Sequence, residues 1–149
     1  KSRDISVYYE AIETNPLQAK EYSALDYPKL VSPKSEAEFI RIHSGEWNEE
    51  CSISSSFIIK KKLISLLSYA TEIKFDLLYF DAFAPAAQPD LWTQKVFELL
   101  YSILKPGGCL VTYCSKGDVR RAMMASGFQV EKLKGAPGKR QMLRASRME

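Results

Sequence analysis

The sequence predicts an α/β domain on a mainly parallel sheet, and three observations carry that reading. An apolar strand, Phe75 to Phe80, runs straight into an acid, Asp81, inside a Pro- and Ala-rich loop. A helix from Leu91 to Leu104 follows, with Leu91, Val96, Leu99, Leu100, Ile103 and Leu104 at helical spacing. Lys105-Pro106-Gly107-Gly108 stops it, and a second apolar strand, Cys109 to Cys114, comes next. Strand and helix alternate through most of the chain, which favours parallel strands with helices on both faces. The order is that of half a nucleotide-type domain, whose first strand and glycine-rich turn are expected ahead of Lys1.

The elements follow in order. Ile5 to Ile12 (ISVYYEAI) is β-branched and aromatic and reads as a strand ending at Glu13. Thr14-Asn15-Pro16 turns the chain into a helix, Leu17 to Leu25, that ends before Pro28. Val31 to Lys34 is a loop. Phe39 to His43 and Ser52 to Lys60 read as two strands of a hairpin around Gly45, and Leu63 to Tyr69 as a short helix or loop. Phe75 to Phe80 is apolar at nearly every position after Asp76, as a strand covered on both faces should be. Val119 to Ser126 is a helix closed by Gly127, and Phe128 to Leu133 and Gln141 to Ala145 read as paired edge strands.

At 149 residues and 46% hydrophobic content, one core is the expectation. No run approaches the length of a membrane span, no secretory leader is visible, and cytoplasmic is the default. A start at Lys1 rather than Met suggests a fragment or a late numbering. Cys51, Cys109 and Cys114 are odd in number and lack paired spacing, which argues against a disulfide framework and a metal site. Residues 1–115 carry 12 Lys or Arg against 15 Asp or Glu, while residues 116–149 carry 9 against 3. A basic end on a nearly neutral body suits an anionic partner, and equally a solvated surface.

Ligands of an open parallel sheet bind beyond the carboxyl ends of its strands, where Glu13, Asp81 and Ser115 fall. Glu13 suits a carboxylate that accepts both hydroxyl hydrogens of a ribose, or an acid stabilised near a helix start. Asp81, held between LLYF and a loop with Pro85 and Pro89, suits a carboxylate that positions an amine or accepts its proton, or a capping or turn acid. Phe83 and Trp92 suit an aromatic wall or the core, with Trp92 favoured as core. Ser115-Lys116-Gly117 opens the helix bearing Arg120 and Arg121, and Gly135 to Arg140 is a second cationic loop. His43, the only histidine, reads as a surface or packing residue, and Lys60, Lys61 and Lys62 as an RNA contact or a solvated strand end.

DLLYFDAFAP, QPDLWT, LKPGG, LVTYCSKGDVRR and GAPGKRQMLRA, in that order, resemble the bacterial tRNA 5-methylaminomethyl-2-thiouridine methyltransferases, of the MnmD type and the methyltransferase domain of MnmC. AIETNPL, residues 11–17, is similar to their second-strand region. The resemblance implies a Rossmann-like class I methyltransferase sheet, mostly parallel with an antiparallel C-terminal strand, across residues 1–149. It implies S-adenosyl-L-methionine as cofactor and the aminomethyl nitrogen of a modified wobble uridine in tRNA as acceptor. Glu13 would hold the cofactor ribose. Asp81, with Ala82, Phe83 and Pro85, would face the methyl donor, and Asp81 the target amine. Lys116, Arg120, Arg121, Lys139 and Arg140 would meet RNA phosphates. An oxidoreductase partner is left open, and no membrane partner is implied.

The chain departs from the family pattern in three places. The first strand and glycine-rich turn are missing, Ala82 stands where Gly is frequent, and Ser65 stands near an expected adenine-side acid. The alternative is therefore a catalytically incomplete RNA-binding or interaction fragment of the same fold. A dehydrogenase lacks its dinucleotide fingerprint. The missing strand also predicts an exposed sheet edge and self-association.

Overall fold

The computed structural model describes residues 5–32, 35–138 and 140–149. The chain divides into two compact units, Lys1–Tyr69 and Ala70–Glu149.

The first unit holds β1 (Val7–Glu13), α1 (Ala19–Tyr22), α2 (Tyr27–Val31), α3 (Glu36–Ser44), β2 (Glu50–Ser54), β3 (Phe57–Leu63) and a 3-10 turn at Leu66–Ser68. Its sheet runs β1-β3-β2, with β1 parallel and β2 antiparallel to β3. Three expectations fail here. The segment Phe39 to His43 lies within α3, not in a strand. Glu36 and Glu38 in the first turn and Arg41 in the last complement the helix dipole. Phe39 and His43, one turn apart, bring their rings to 4.5 Å. The stretch Ser52 to Lys60 is two strands, because Ser55 and Ser56 turn the chain between β2 and β3. The single helix Leu17 to Leu25 shrinks to α1, which the Glu21 carboxylate starts by accepting the Gln18 amide at 2.6 Å. Pro28 opens α2, where its missing N–H costs nothing, and the predicted loop from Val31 begins one residue later, with Pro33 and Lys34 outside the described residues.

Lys61 is not a solvated strand end. It is buried, donates from Nζ to the His43 carbonyl at 2.7 Å, and lies 5.0 Å from the Trp47 ring centre. Of the two roles open to His43 the packed one holds, with its ring 5.0 Å from the Tyr22 ring.

The second unit holds β4 (Phe75–Tyr79), a 3-10 turn at Pro89–Trp92, α4 (Gln94–Ile103), β5 (Leu104–Thr112), α5 (Gly117–Ala125), β6 (Gln129–Lys134) and β7 (Gln141–Ser146). The sheet order is β4-β5-β7-β6, with β4 and β5 parallel and β5, β7 and β6 antiparallel. β7 is thus an interior strand and β6 the edge. The helix begins three residues later than predicted, at Gln94, because Thr93 caps it through an Oγ1 that accepts the Val96 amide. Lys105 to Gly108 do not precede the strand but bulge from it: Phe75 pairs with Leu104 and Leu77 with Cys109. Only glycine fits at 108, where a Cβ would stand 2.9 Å from the Lys105 carbonyl oxygen and 3.1 Å from that of Asp76.

Phe97, Leu104, Leu110, Val119, Met123 and Leu143 form a fully buried core between α4, α5 and one face of this sheet. Truncating Phe97 to alanine there would cost about 3–5 kcal/mol. The other face corrects the expectation of two covered faces. Leu77 is 41% and Tyr79 65% exposed, so β4 is covered on one side only among the described residues. No helix among the described residues is long and apolar enough to cross a membrane.

Candidate functional site

In the first unit, β1 and β3 are parallel and in register from Val7↔Phe57 to Glu13↔Leu63, so their carboxyl ends lie together. Glu13 is exposed at that end, and its Oε1 accepts the amides of Thr14 at 2.7 Å and Asn15 at 2.9 Å. One oxygen therefore fixes the carboxylate on its own turn, and among the described residues Oε2 accepts no hydrogen bond. The Ile64 amide donates to the Glu13 carbonyl at 3.1 Å, which seats the segment after β3 beside this acid. Ser65 there caps the 3-10 turn by accepting the Leu67 amide, and Leu63 and Leu67 expose their apolar side chains.

That segment is anchored by residues the sequence reading passed over. Tyr69, buried, donates to Glu10 Oε2 at 2.6 Å, and Tyr8 donates to Oε1 at 2.9 Å. Lys62, read from the sequence as an RNA contact or a solvated strand end, instead stands 3.7 Å from the same carboxylate, whose side chain is 4% exposed, and over the Tyr69 ring. The signal was available as Tyr8-x-Glu10, two polar groups on one face of an otherwise apolar strand.

In the second unit, the β4–β5 ladder continues one step past β4, because the Phe80 amide donates to the Val111 carbonyl at 2.9 Å. Asp81 follows at once, exposed, and among the described residues its carboxylate has no hydrogen-bond partner. The loop behind it is tied down at three atoms. The Ala82 carbonyl accepts the Tyr113 hydroxyl at 2.8 Å, the Phe83 carbonyl accepts the Trp92 indole N–H at 2.8 Å, and the Phe83 amide donates to Gln88 Oε1 at 3.2 Å. Pro85 and Ala82 are half-buried, whereas the Phe83 ring is 73% exposed. Trp92 is core, as expected, and also a loop donor.

The basic residues gather at the same end of this sheet. Thr112 closes β5 and pairs with Leu143, so residues 140–142 run on past the carboxyl end of β5. Arg140 is exposed there. Lys116 precedes α5, and Arg120 and Arg121 stand in its first turns, with Lys116 and Arg121 exposed and Arg120 half-buried. Lys139 lies outside the described residues.

A sequence profile of the S-adenosyl-L-methionine-dependent methyltransferases matches residues 33–148. The chain belongs to that family. Its α/β Rossmann-like sheets are those of a class I methyltransferase, and the family's methyl donor is S-adenosyl-L-methionine. Solved structures agree on the fold. MNMC2 from Aquifex aeolicus is 23% identical with a TM-score of 0.71, over 95% of this chain and 44% of that one. The N-methyltransferase NodS from Bradyrhizobium japonicum WM9 is 13% identical with a TM-score of 0.52, over 97% and 88%. NodS in complex with S-adenosyl-L-homocysteine is 13% identical with a TM-score of 0.50, over 97% and 80%. The chain thus spans less than half the length of the Aquifex protein.

The Glu13 geometry fits this family's cofactor. A vicinal diol offers two donors, and the exposed Glu13 carboxylate, held through one oxygen, keeps the acceptor capacity of the other.

Proposed function

We propose that this methyltransferase methylates an amine of a modified nucleoside, and specifically the aminomethyl nitrogen of the wobble uridine of tRNA. One observation carries the reading. Asp81 is the carboxylate left open at the carboxyl end of β4, while the loop atoms behind it are already paired.

S-adenosyl-L-methionine, when bound, supplies an electrophilic methyl group on a sulfonium. Glu13 would hold its ribose, and Asp81, Ala82, Phe83 and Pro85 would line its methyl end. Displacement at that carbon needs a neutral amine held in line with the leaving sulfur, so the chain's work is positioning. Asp81 accepts an N–H of the amine, aims its lone pair, and receives the proton that methylation releases. Phe83, with its ring exposed beside the acid, offers a face on which an unstacked base can rest. Lys116, Arg120, Arg121 and Arg140, at the carboxyl end of this sheet, would meet backbone phosphates of a single-stranded loop, and Lys139 belongs to the same cationic segment of the sequence.

The test is nucleoside analysis of tRNA bearing 5-aminomethyl-2-thiouridine after incubation with the protein and S-adenosyl-L-methionine. Conversion to the methylaminomethyl nucleoside, lost in Asp81→Ala, supports the reading. Binding of tRNA without conversion and without saturable binding of S-adenosyl-L-homocysteine supports the alternative, an RNA-binding fragment of the same fold.

A further inference from the structure

The loop that carries Asp81 is held by two aromatic donors on consecutive carbonyls, Tyr113 on Ala82 and Trp92 on Phe83, both at 2.8 Å. The two come from different elements. Tyr113 is the first residue after β5, the parallel neighbour of β4, and Trp92 ends the 3-10 turn in front of α4.

Neither donor is free to wander. Trp92 is 6% exposed, with Phe80, Tyr113 and Phe97 packed edge-on at ring distances of 4.9, 6.3 and 6.4 Å. The Tyr113 hydroxyl is kept in its neutral, donating form, since burial above all, then the neighbouring Cys114 and Asp81, push its ionisation upward. Gln88 completes the arrangement by accepting the Phe83 amide.

We infer that Tyr113 and Trp92 are positioning residues for the acceptor loop, fixing Asp81 and the outward Phe83 ring in the geometry that methyl transfer requires. This rests on the reading of Asp81 as the group that orients the amine. Two consequences follow from the hydrogen bonds. With both carbonyls engaged, an incoming amine meets the Asp81 carboxylate as its principal acceptor. With either donor removed, a carbonyl is released and the loop gains conformers in which the carboxylate points elsewhere.

The experiment uses Tyr113→Phe and Trp92→Phe in the protein, each with Trp47→Phe so that, in the tyrosine variant, Trp92 supplies the single indole of this chain. Backbone relaxation of residues 81–84 and exchange of the Trp92 indole proton are measured by nuclear magnetic resonance, and methyl transfer and S-adenosyl-L-homocysteine affinity beside them. The expected result is a mobile loop, cofactor affinity within about two-fold of the parent, and a kcat lower by on the order of 10²-fold at unchanged KM for S-adenosyl-L-methionine. A loop as rigid in Tyr113→Phe as in the parent overturns the assignment, and so does a mobile loop with unaltered kcat. A parent protein with a rigid loop, good cofactor affinity and no methyl transfer to any amine instead sinks the proposed function, and this assignment with it.

Discussion

The Arg147 guanidinium, through one nitrogen, donates to the Leu104 carbonyl at 2.8 Å. The same nitrogen reaches the Tyr101 and Ser102 carbonyls at 3.1 and 3.4 Å, and the group sits 4.9 Å from the Tyr101 ring centre. A cation from the far end of the chain therefore closes the last turn of α4, whose carbonyls have no partners within the helix. Arg147→Met should cost about 2 kcal/mol, in the range of charge-assisted hydrogen bonds, and Arg147→Lys should restore only part of it. Urea unfolding measures both, and equal stability in all three proteins would contradict the latch.

Tyr8 offers a spectroscopic view of the first unit. Burial first, and then its hydrogen bond to Glu10, push its ionisation from 10.0 up to about 12. The folded state thus favours the protonated phenol. That contribution to stability is complete below pH 10 and disappears as pH rises from there toward 12. Tyrosinate absorbance, taken as the difference between the parent and Tyr8→Phe, should show the late titration. Glu10→Gln should bring it earlier.

His43 titrates below its ordinary 6.5, chiefly because burial disfavours the imidazolium and secondarily because Lys61 is near. The unfolded chain binds that proton more readily, so stability is present above 6.5 and falls as pH drops below it. A resonance titration of this single histidine should give a depressed midpoint that moves upward in Lys61→Met.

The uncovered side of β4 predicts association. Leu77 and Tyr79 project an apolar surface, and β1 and β4 each stand at an end of their sheet with one edge unpaired among the described residues. Sedimentation across a dilution series should show concentration-dependent self-association, weakened in Leu77→Lys with Tyr79→Lys. A monomer at every concentration would contradict this.

What the sequence disclosed, and what it hid, has a consistent physical basis. Asp81 was legible as a strand end because the acid closes the apolar run LLYF directly ahead of a loop with Pro85 and Pro89. Glu13 was legible for the same reason. Phe39 to His43 was misread because a short apolar stretch fits either period, and the acids and bases flanking it decide for a helix. Tyr79 was read as covered because an apolar run says that a strand can be buried on both faces, not what buries it. Tyr113 was invisible because its role comes from a partner 31 positions away, Ala82, and Tyr8-x-Glu10 marked a polar pair without showing its third member, Tyr69, 59 positions on.

The most direct test of the central claim is the methyl-transfer rate of Asp81→Asn, which keeps the side chain's shape and one acceptor oxygen but cannot take a proton. On tRNA bearing 5-aminomethyl-2-thiouridine, kcat should fall by on the order of 10²–10⁴-fold, while S-adenosyl-L-homocysteine binds as in the parent. Parent-like turnover by Asp81→Asn would show that the acid at the end of β4 does not serve the amine.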